Sequence, residues 1–115
     1  MKFKRGDIWW ANLDKPRKSE PGYRRPVVII QSDAFNKSKI NTIIVAVISA
    51  NLALAKAPGN ILLGANKRIG LKRKSVINIS QIITLDKSYL TGKAGSLNAI
   101  QEAELNEGLK LVLSV

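Results

Sequence analysis

The strongest strand signals in this sequence are RPVVIIQSD (residues 25–33) and TIIVAVIS (residues 42–49). Both runs are rich in β-branched residues and too uniformly apolar to form strands with one solvated face. We therefore expect two strands that are buried on both faces or that lie in the core of a barrel. Residues 34–41 join them.

Shorter apolar runs flank this pair on both sides. DIWWANL (residues 7–13) predicts a strand that leads into a polar, basic loop at residues 14–24. Brief strands are predicted at residues 60–63, 76–79 and 82–86, with loops between them. Many short strands at close spacing are typical of a small, twisted, partly closed antiparallel barrel.

The end of the chain carries a helical pattern. Asn98 is a candidate N-cap, and Gln101 three residues later completes a capping box. Apolar residues then recur at mostly helical spacing and predict a stripe packed on the barrel: Ile100, Leu105, Leu109, Val112 and Leu113. The 115 residues, 45% of them hydrophobic, are therefore expected to form a single mainly β domain, residues 1–115, with one C-terminal helix.

Charge is distributed unevenly along the chain. Residues 1–75 carry a balance of +12, whereas residues 76–115 carry −1. Such a one-sided field favours a polyanionic partner, with RNA or DNA ahead of an anionic membrane or an acidic protein. A basic protein without a nucleic-acid role remains an alternative on charge alone. The segment 64–75 has five basic residues and no acidic one, which suits either a solvated hairpin end or a nucleic-acid contact.

The chain has no cysteine and no histidine. Disulfides, thiolate nucleophiles, cysteine zinc sites and the commonest general base are therefore excluded. The 8 carboxylates show no cluster like that of a two-metal nuclease, so we expect neither a metal nor a cofactor. No stretch approaches the roughly 20 apolar residues of a membrane span, and the first residues lack a secretory signal. The expected compartment is the cytoplasm, without membrane association.

RNA cleavage is open to such a chain because the substrate supplies its own nucleophile, the 2′-hydroxyl. This group attacks the adjacent phosphate and yields a 2′,3′-cyclic phosphate, so the enzyme has to position the phosphate and neutralise charge. Pro26 biases Arg25 toward an extended backbone, and Ser49 ends the apolar run 42–49. An arginine at a strand edge and a serine in a turn also have ordinary structural explanations.

Taken in order, four segments resemble the MazF/PemK family of toxin endoribonucleases: KRGDIWW, SEPGYRRPVVIIQSDAFN, IIVAVIS and KRKSVINISQIITLDKSYL. The resemblance covers nearly the whole chain. It implies an SH3-like barrel of the MazF/PemK/CcdB type with a C-terminal helix, a homodimer, and metal-independent cleavage of single-stranded RNA at short sequence motifs. It also implies neutralisation by a cognate, MazE-like antitoxin. The family's catalytic arginine falls on Arg25 and its catalytic threonine on Ser49.

Two positions depart from the family pattern. Ser49 keeps the hydroxyl of threonine but lacks the methyl group that restricts χ1, so we expect a less firmly aimed hydroxyl and lower activity. Pro21 stands in the loop where many relatives have a Gln-Gly or Gly-Gly stretch. A proline there would stiffen the loop and change which bases it admits.

The predicted RNA contacts come from this loop and from neighbouring connections. They are Ser19, Glu20, Tyr23, Arg24, Asn36, Lys37, Ser75 and Gln81. Tyr23 suits stacking on an unpaired base, although an exposed loop tyrosine that contacts nothing is an equal alternative. Trp9 and Trp10 point to opposite strand faces, so we expect one in the core and the other at a dimer interface or under the loop.

Two other functions fit the same fold. CcdB-type toxins share the barrel and inhibit DNA gyrase without cleaving RNA, so the fold cannot separate them from endoribonucleases. A basic RNA-binding module of ribosomal type would bind with strong salt dependence and leave RNA intact. The Arg-Pro element, the position of Ser49 and the basic first segment favour the endoribonuclease.

Overall fold

A computed structural model describes residues 2–13, 18 and 23–115 of the chain. Within these residues the strands are β1 (Asp7–Asn12), β2 (Arg24–Ile29), β3 (Thr42–Ser49), β4 (Ile61–Leu63), β5 (Ser75–Asp86) and β6 (Leu90–Ser96). The α-helices are α1 (Asp33–Asn36) and α2 (Ala99–Leu113), and short 3-10 helices lie at Leu52–Lys56 and Lys87–Tyr89. The mainly β architecture with a C-terminal helix is as predicted.

All six strands form one antiparallel sheet in the order β4-β5-β3-β2-β1-β6. The sheet curls because the connection 64–74, which leaves the edge strand β4, reaches the other edge strand, β6. Ser96 N–H donates to the Arg68 carbonyl at 2.9 Å. A Cβ on Gly70 would collide with the Ala94 carbonyl, and one on Gly95 would collide with the Arg68 and Ile69 carbonyls. Only glycine permits this close approach, which closes the half-barrel.

Both faces of the curled sheet are apolar. The helix face carries a cluster that includes Ile8, Val28, Ala46 and Ile77 together with Leu105 of α2. The opposite face carries a second cluster, covered in part by Phe3, whose ring centroid lies 4.7 Å from that of Trp9: Trp9, Ala11, Val27, Ile29, Ile43, Val45 and Leu90. This confirms the prediction that the two uniformly apolar strands are buried on both faces. Each fully buried valine or isoleucine contributes about 2 kcal/mol to stability.

Two predicted strand boundaries were wrong. The strand predicted over residues 25–33 ends at Ile29, because the one-turn helix α1 begins at Asp33 within the predicted range. The separate strands predicted at 76–79 and 82–86 form the single strand β5. The register shifts where Val47 pairs with Asn78 and Ala46 pairs with Ile82, so a β-bulge stands where the sequence indicated a loop.

Strand β6 was not predicted. Its sequence, LTGKAGS, contains two glycines and one β-branched residue, so local propensity conceals it. It forms because β1 supplies a partner along its length, from Asp7 opposite Ser96 to Ala11 opposite Leu90.

The helix α2 begins as predicted. Gln101 N–H donates to Asn98 Oδ1 at 2.8 Å, and Asn98 N–H donates to Gln101 Oε1 at 2.9 Å, which confirms the capping box. The predicted apolar stripe is right at its centre and wrong at its ends. Leu105 is fully buried and Leu109 partly buried, whereas three residues are exposed: Ile100, Val112 and Leu113. The helix touches the barrel over its middle turns and extends beyond the apolar surface that the sheet offers.

In the described part of the chain, no helix has the length and apolar character that crossing a membrane requires.

Candidate nucleic-acid interface

An open groove of about 760 Å³ lies at the start of β2. Its described walls come from β1, from the start of β2, from the end of β3 and from the region 70–75: Trp10, Tyr23, Arg24, Arg25, Pro26, Ile48, Ala50, Gly70, Leu71, Lys72, Arg73 and Ser75. The closure of the half-barrel by Gly70 and Gly95 brings the last of these segments into place.

The groove is cationic. Four of its described lining residues are basic, namely Arg24, Arg25, Lys72 and Arg73, and none of those described is acidic. Acidic side chains pair elsewhere: Asp7 lies 3.3 Å from Lys93, and Glu107 lies 3.7 Å from Lys110. A concave surface lined by one sign of charge focuses the field and raises the local concentration of a polyanion.

Sheet register places the two predicted catalytic residues at the same end of the β2–β3 pair. Val27 of β2 pairs with Val47 of β3. Arg25 and Ser49 each lie two residues beyond this pair, past the point where the pairing of β2 with β3 ends. Arg25 is half-buried and lines the groove, and Ser49 lies between two residues that also line it, Ile48 and Ala50.

The Ser49 hydroxyl is held locally. The Asn51 backbone N–H donates to Ser49 Oγ at 3.1 Å. This bond uses an acceptor site of the hydroxyl and leaves its hydrogen as a donor. The missing threonine methyl is therefore replaced in part by a hydrogen bond that restrains the rotamer.

Two predicted RNA contacts, Tyr23 and Arg24, lie in the groove wall. Tyr23 is 62% exposed and has a φ of 60°, a left-handed conformation that is uncommon for an aromatic residue. Its carbonyl accepts a hydrogen bond from Leu13 N–H at 2.7 Å. The Arg24 guanidinium lies over the Trp10 ring, 4.1 Å from the ring centroid, in a cation–π contact.

Other predicted contacts have different positions. Ser75 lines the groove but is buried, and its hydroxyl donates to the Arg73 carbonyl at 3.1 Å. Gln81 is half-buried beside the bulge of β5 and is not part of the groove wall. Ser19 and Glu20, like Pro21, lie outside the described residues.

Asn36 and Lys37 are not brought into the groove. They lie at the other end of β2, where Asn36 is buried in a polar network. Its Nδ2 donates to the Gln31 carbonyl at 2.9 Å and to Asp33 Oδ1 at 3.2 Å, while its Oδ1 accepts from Gln31 Nε2 at 3.0 Å. The hydrogen-bonding capacity of the amide is thus used by the fold.

Two carboxyl groups have lowered pKa values, and both lie outside the groove. The Arg5 backbone N–H, which donates to Asp33 Oδ1 at 2.8 Å, lowers the pKa of Asp33, with a further contribution from the Asn36 amide. The Ser88 backbone N–H, at 2.9 Å from Asp86 Oδ1, lowers the pKa of Asp86. These two carboxylates belong to the fold, each holding a turn at the end of a strand.

No group of three or more potential metal-ligating His, Cys, Asp or Glu side chains comes together among the residues that the structure describes. The described wall of the groove offers arginine, lysine, tyrosine and hydroxyl groups.

Comparison with known proteins identifies the family. Residues 4–113 match the family of PemK-like, MazF-like toxins of type II toxin-antitoxin systems. The chain belongs to this family. It is 44% identical over 115 residues to Endoribonuclease MazF6 of Mycobacterium tuberculosis, with 100% of both chains covered. It is 40% identical to Endoribonuclease EndoA of Bacillus subtilis, with 100% of this chain and 97% of that protein covered.

A solved structure with the same fold is that of an endoribonuclease in complex with its cognate antitoxin from a Mycobacterial species. The two chains superpose with a TM-score of 0.73 at 18% identity, over 99% of this chain and 95% of that one. The predicted MazF/PemK membership and the predicted barrel are thereby confirmed.

Among the side chains that line the groove, Trp10, Lys72 and Arg73 were not predicted as site residues from the sequence. The signal for the two cations was present, because the segment 64–75 has basic side chains and no acidic one. No local signal separated a hairpin end in solvent from a groove wall. The difference depends on Gly70 meeting β6, a strand that the sequence did not reveal.

Proposed function

We propose that this chain is an endoribonuclease toxin that cleaves single-stranded RNA without a metal ion. The observation that carries the proposal is the cationic groove that Arg25 lines and beside which Ser49 ends β3, between the lining residues Ile48 and Ala50. Two comparisons support the same conclusion: the chain belongs to the PemK/MazF family, and it is similar over its full length to two proteins named endoribonucleases.

The proposed reaction uses the 2′-hydroxyl of the substrate. Its oxygen attacks the adjacent phosphorus, the bond to the 5′-oxygen breaks, and the products are a 2′,3′-cyclic phosphate and a 5′-hydroxyl. The proton lost from the 2′-oxygen is balanced by the proton gained by the leaving 5′-oxygen. DNA lacks the 2′-hydroxyl and is not cleaved by this route.

Arg25 is proposed to hold the scissile phosphate and to stabilise the negative charge that develops on it. A guanidinium binds two phosphate oxygens in a fork and stays protonated, since its pKa lies above about 12, so its role is electrostatic. Ser49, already accepting a hydrogen bond from Asn51 N–H, donates its own hydrogen to a phosphate oxygen or to the reacting oxygen. Lys72 and Arg73 bind flanking phosphates from the opposite wall.

The same groove is proposed to be the site of regulation by a cognate antitoxin. The relative solved in complex with its cognate antitoxin has the same fold. An acidic peptide segment lying in the cationic groove would neutralise its charge and exclude RNA. We also propose that the toxin acts as a homodimer, as the family resemblance implies, and in the cytoplasm, where messenger RNA is exposed.

The test is to incubate the purified protein with a long mixed-sequence RNA in excess chelator and to map the new ends. We expect discrete cuts with cyclic phosphate termini. Arg25→Ala should lower turnover about 10²- to 10³-fold, as expected for the loss of a preorganised anion donor. Ser49→Ala should also lose activity, and Ser49→Thr should keep or raise it. Lys39→Ala, which removes an exposed cation outside the described groove wall, is the matched control and should cut like the parent protein.

Intact RNA would contradict the proposal. If the protein then bound RNA tightly and with strong salt dependence, the basic RNA-binding module would replace it. If RNA stayed intact and unbound, while DNA gyrase was inhibited equally by the parent and by Arg25→Ala, the gyrase-directed toxin would replace it.

A further inference from the structure

The side chain of Trp10 occupies an unusual position in the groove wall. Antiparallel pairing places Trp10 opposite Pro26 on β2 and opposite Gly92 on β6, so these residues point to the same side of the sheet. Arg24 is the diagonal neighbour of Trp10 on β2, within reach for a long side chain. Its guanidinium lies over the indole, 4.1 Å from the ring centroid.

The described neighbours of the indole leave space for a ligand. The ring is half-buried, packs against the core cluster of the helix face, and lines the groove together with Pro26. On its other side, Gly92 has no side chain, and a Cβ built there would meet nothing within 4 Å. Among the described residues, Arg24 is thus the group seen over this ring, and it reaches the ring from an exposed position.

An exposed cation–π contact is weak, whereas a nucleic-acid base stacks strongly on an indole. A guanidinium released from the ring also gains a better partner, since an RNA strand in the groove brings phosphate groups to which arginine binds in a fork. Exchange of Arg24 for a base on Trp10 therefore improves both contacts in one step.

We propose that Trp10 is a stacking platform for one unpaired base of the RNA, and that Arg24 covers the platform until the base displaces it toward a neighbouring phosphate. This inference rests on the proposed function, because it names the ligand group for the same groove. It assigns a base-binding role to a residue whose size and apolar character otherwise indicate core packing.

The probe is a set of single-stranded RNA octamers in which fluorine replaces every 2′-hydroxyl, so that no attacking group is present. One octamer carries the cut site mapped with long RNA, and others are homopolymers of A, C and U. Each is also made with a single abasic nucleotide at successive positions. Binding is followed by anisotropy of a terminal dye and, separately, by tryptophan fluorescence.

Trp10 and Trp9 provide a matched pair, since the chain has 2 tryptophans and they lie on opposite faces of β1. We expect octamer binding to quench fluorescence in the parent and in Trp9→Phe but not in Trp10→Leu. Trp10→Leu should weaken binding about tenfold, and Trp10→Phe, which keeps a smaller ring in the core contact, by less. An abasic nucleotide at one position of the octamer should weaken binding to the parent by a similar factor. The same abasic octamer should bind Trp10→Leu no more weakly than the intact octamer does.

The variant Arg24→Ala distinguishes two arrangements: displacement of Arg24 by the base, and stacking of the base on the Arg24 guanidinium. If Arg24 only covers the platform, this variant binds more weakly through loss of a phosphate contact but keeps the quenching and the effect of the abasic position. Loss of the abasic effect in Arg24→Ala would mean that the base stacks on Arg24, and would overturn the proposal.

Two further results are decisive. RNA cleavage by the parent, together with octamer binding that neither quenches Trp10 nor weakens in Trp10→Leu, overturns the platform and leaves the proposed function standing. Octamer binding with Trp10 quenching but no cleavage of natural RNA supports the platform and overturns the proposed function.

Discussion

Polar residues lie at both ends of strand β2, and the two ends use them differently. At its far end, Asn36, Gln31 and Asp33 bond to one another and to the backbone, and the Asn36 side chain is buried. At its start, Arg24 and Arg25 lie in a groove whose described wall also holds Lys72 and Arg73 and no carboxylate.

The difference separates polar groups that are buried in the fold from cations that line an open groove. Polar groups that serve the fold are saturated within it, because a buried donor or acceptor left without a partner is destabilising. Like charges gathered in one groove are mutually repulsive, and a protein keeps them together where a polyanion supplies the compensating charge. Substitutions at the groove end of β2 should therefore change mainly activity, and substitutions at its far end should change mainly stability.

The largest effect is expected at the groove end. Arg25→Ala should reduce RNA cleavage about 10²- to 10³-fold, because the charge on the transition state loses its principal donor. The melting temperature should fall by less than in a variant at the buried far end of β2, since the wall also loses a like charge. Single-turnover cleavage rates and a thermal melt of the same sample measure both quantities. A melting temperature that falls steeply would show that Arg25 serves the fold and would abolish the contrast.

At the far end we expect the reverse signature. Asn36→Ala removes hydrogen bonds at a buried site and should lower the free energy of unfolding by about 1–3 kcal/mol. The cleavage rate of the protein that remains folded should match that of the parent. Urea denaturation and activity at low temperature test this. Reduced cleavage without loss of stability would instead support the RNA contact predicted from the sequence.

A smaller effect should separate groove cations from other exposed cations. Replacing Lys72 with alanine should lower the slope of log affinity against log salt by about 0.7, as expected for one phosphate contact to a single strand. Lys37→Ala, at the far end of β2, should leave the slope unchanged. Titrations at several salt concentrations with an uncleavable octamer measure both. Equal slopes for the two variants would show that the groove does not hold the RNA backbone.

The smallest effect concerns acid stability. The pKa of Asp33 in the folded protein lies below its ordinary value of 3.8, because the Arg5 N–H bonds to the carboxylate. The ionised form therefore stabilises the fold above the unfolded-state pKa, and this contribution is lost as the pH falls through the folded-state pKa. Asp33→Asn should be less stable than the parent at pH 6 and should show a smaller fall in stability below about pH 4.

Urea denaturation at two pH values measures this difference. Glu104→Gln, on an exposed position of α2, is the matched control and should keep the pH profile of the parent. If the pH profile of stability of Asp33→Asn were identical to that of the parent, the Asp33 carboxylate would not stabilise the network at the far end of β2.

Much of the fold can be predicted from local sequence. The apolar runs that became β2 and β3 are buried on both faces, and the capping box of α2 forms between Asn98 and Gln101. Strand β6 and the bulge in β5 could not be predicted, because they depend on the pairing partner and not on the residues themselves.

The candidate site divides in the same way. Arg25 and Ser49 were chosen by resemblance to a family, and both lie at the same end of the β2–β3 pair, beyond its last paired residues. Asn36 was chosen from its place in a connection, where sequence does not distinguish an exposed amide from a buried one. Trp10 and the wall at Lys72 and Arg73 needed the three-dimensional closure of the barrel before they could be seen.

That closure has a kinetic consequence. Gly70 and Gly95 fasten the basic wall to β6 through contacts too close for any side chain, and β6 is paired in turn with β1 beside the opposite wall. The separation of the two walls is thus set before RNA arrives. Association should then follow a single exponential whose observed rate constant rises linearly with RNA concentration, without the plateau that a slow opening step imposes.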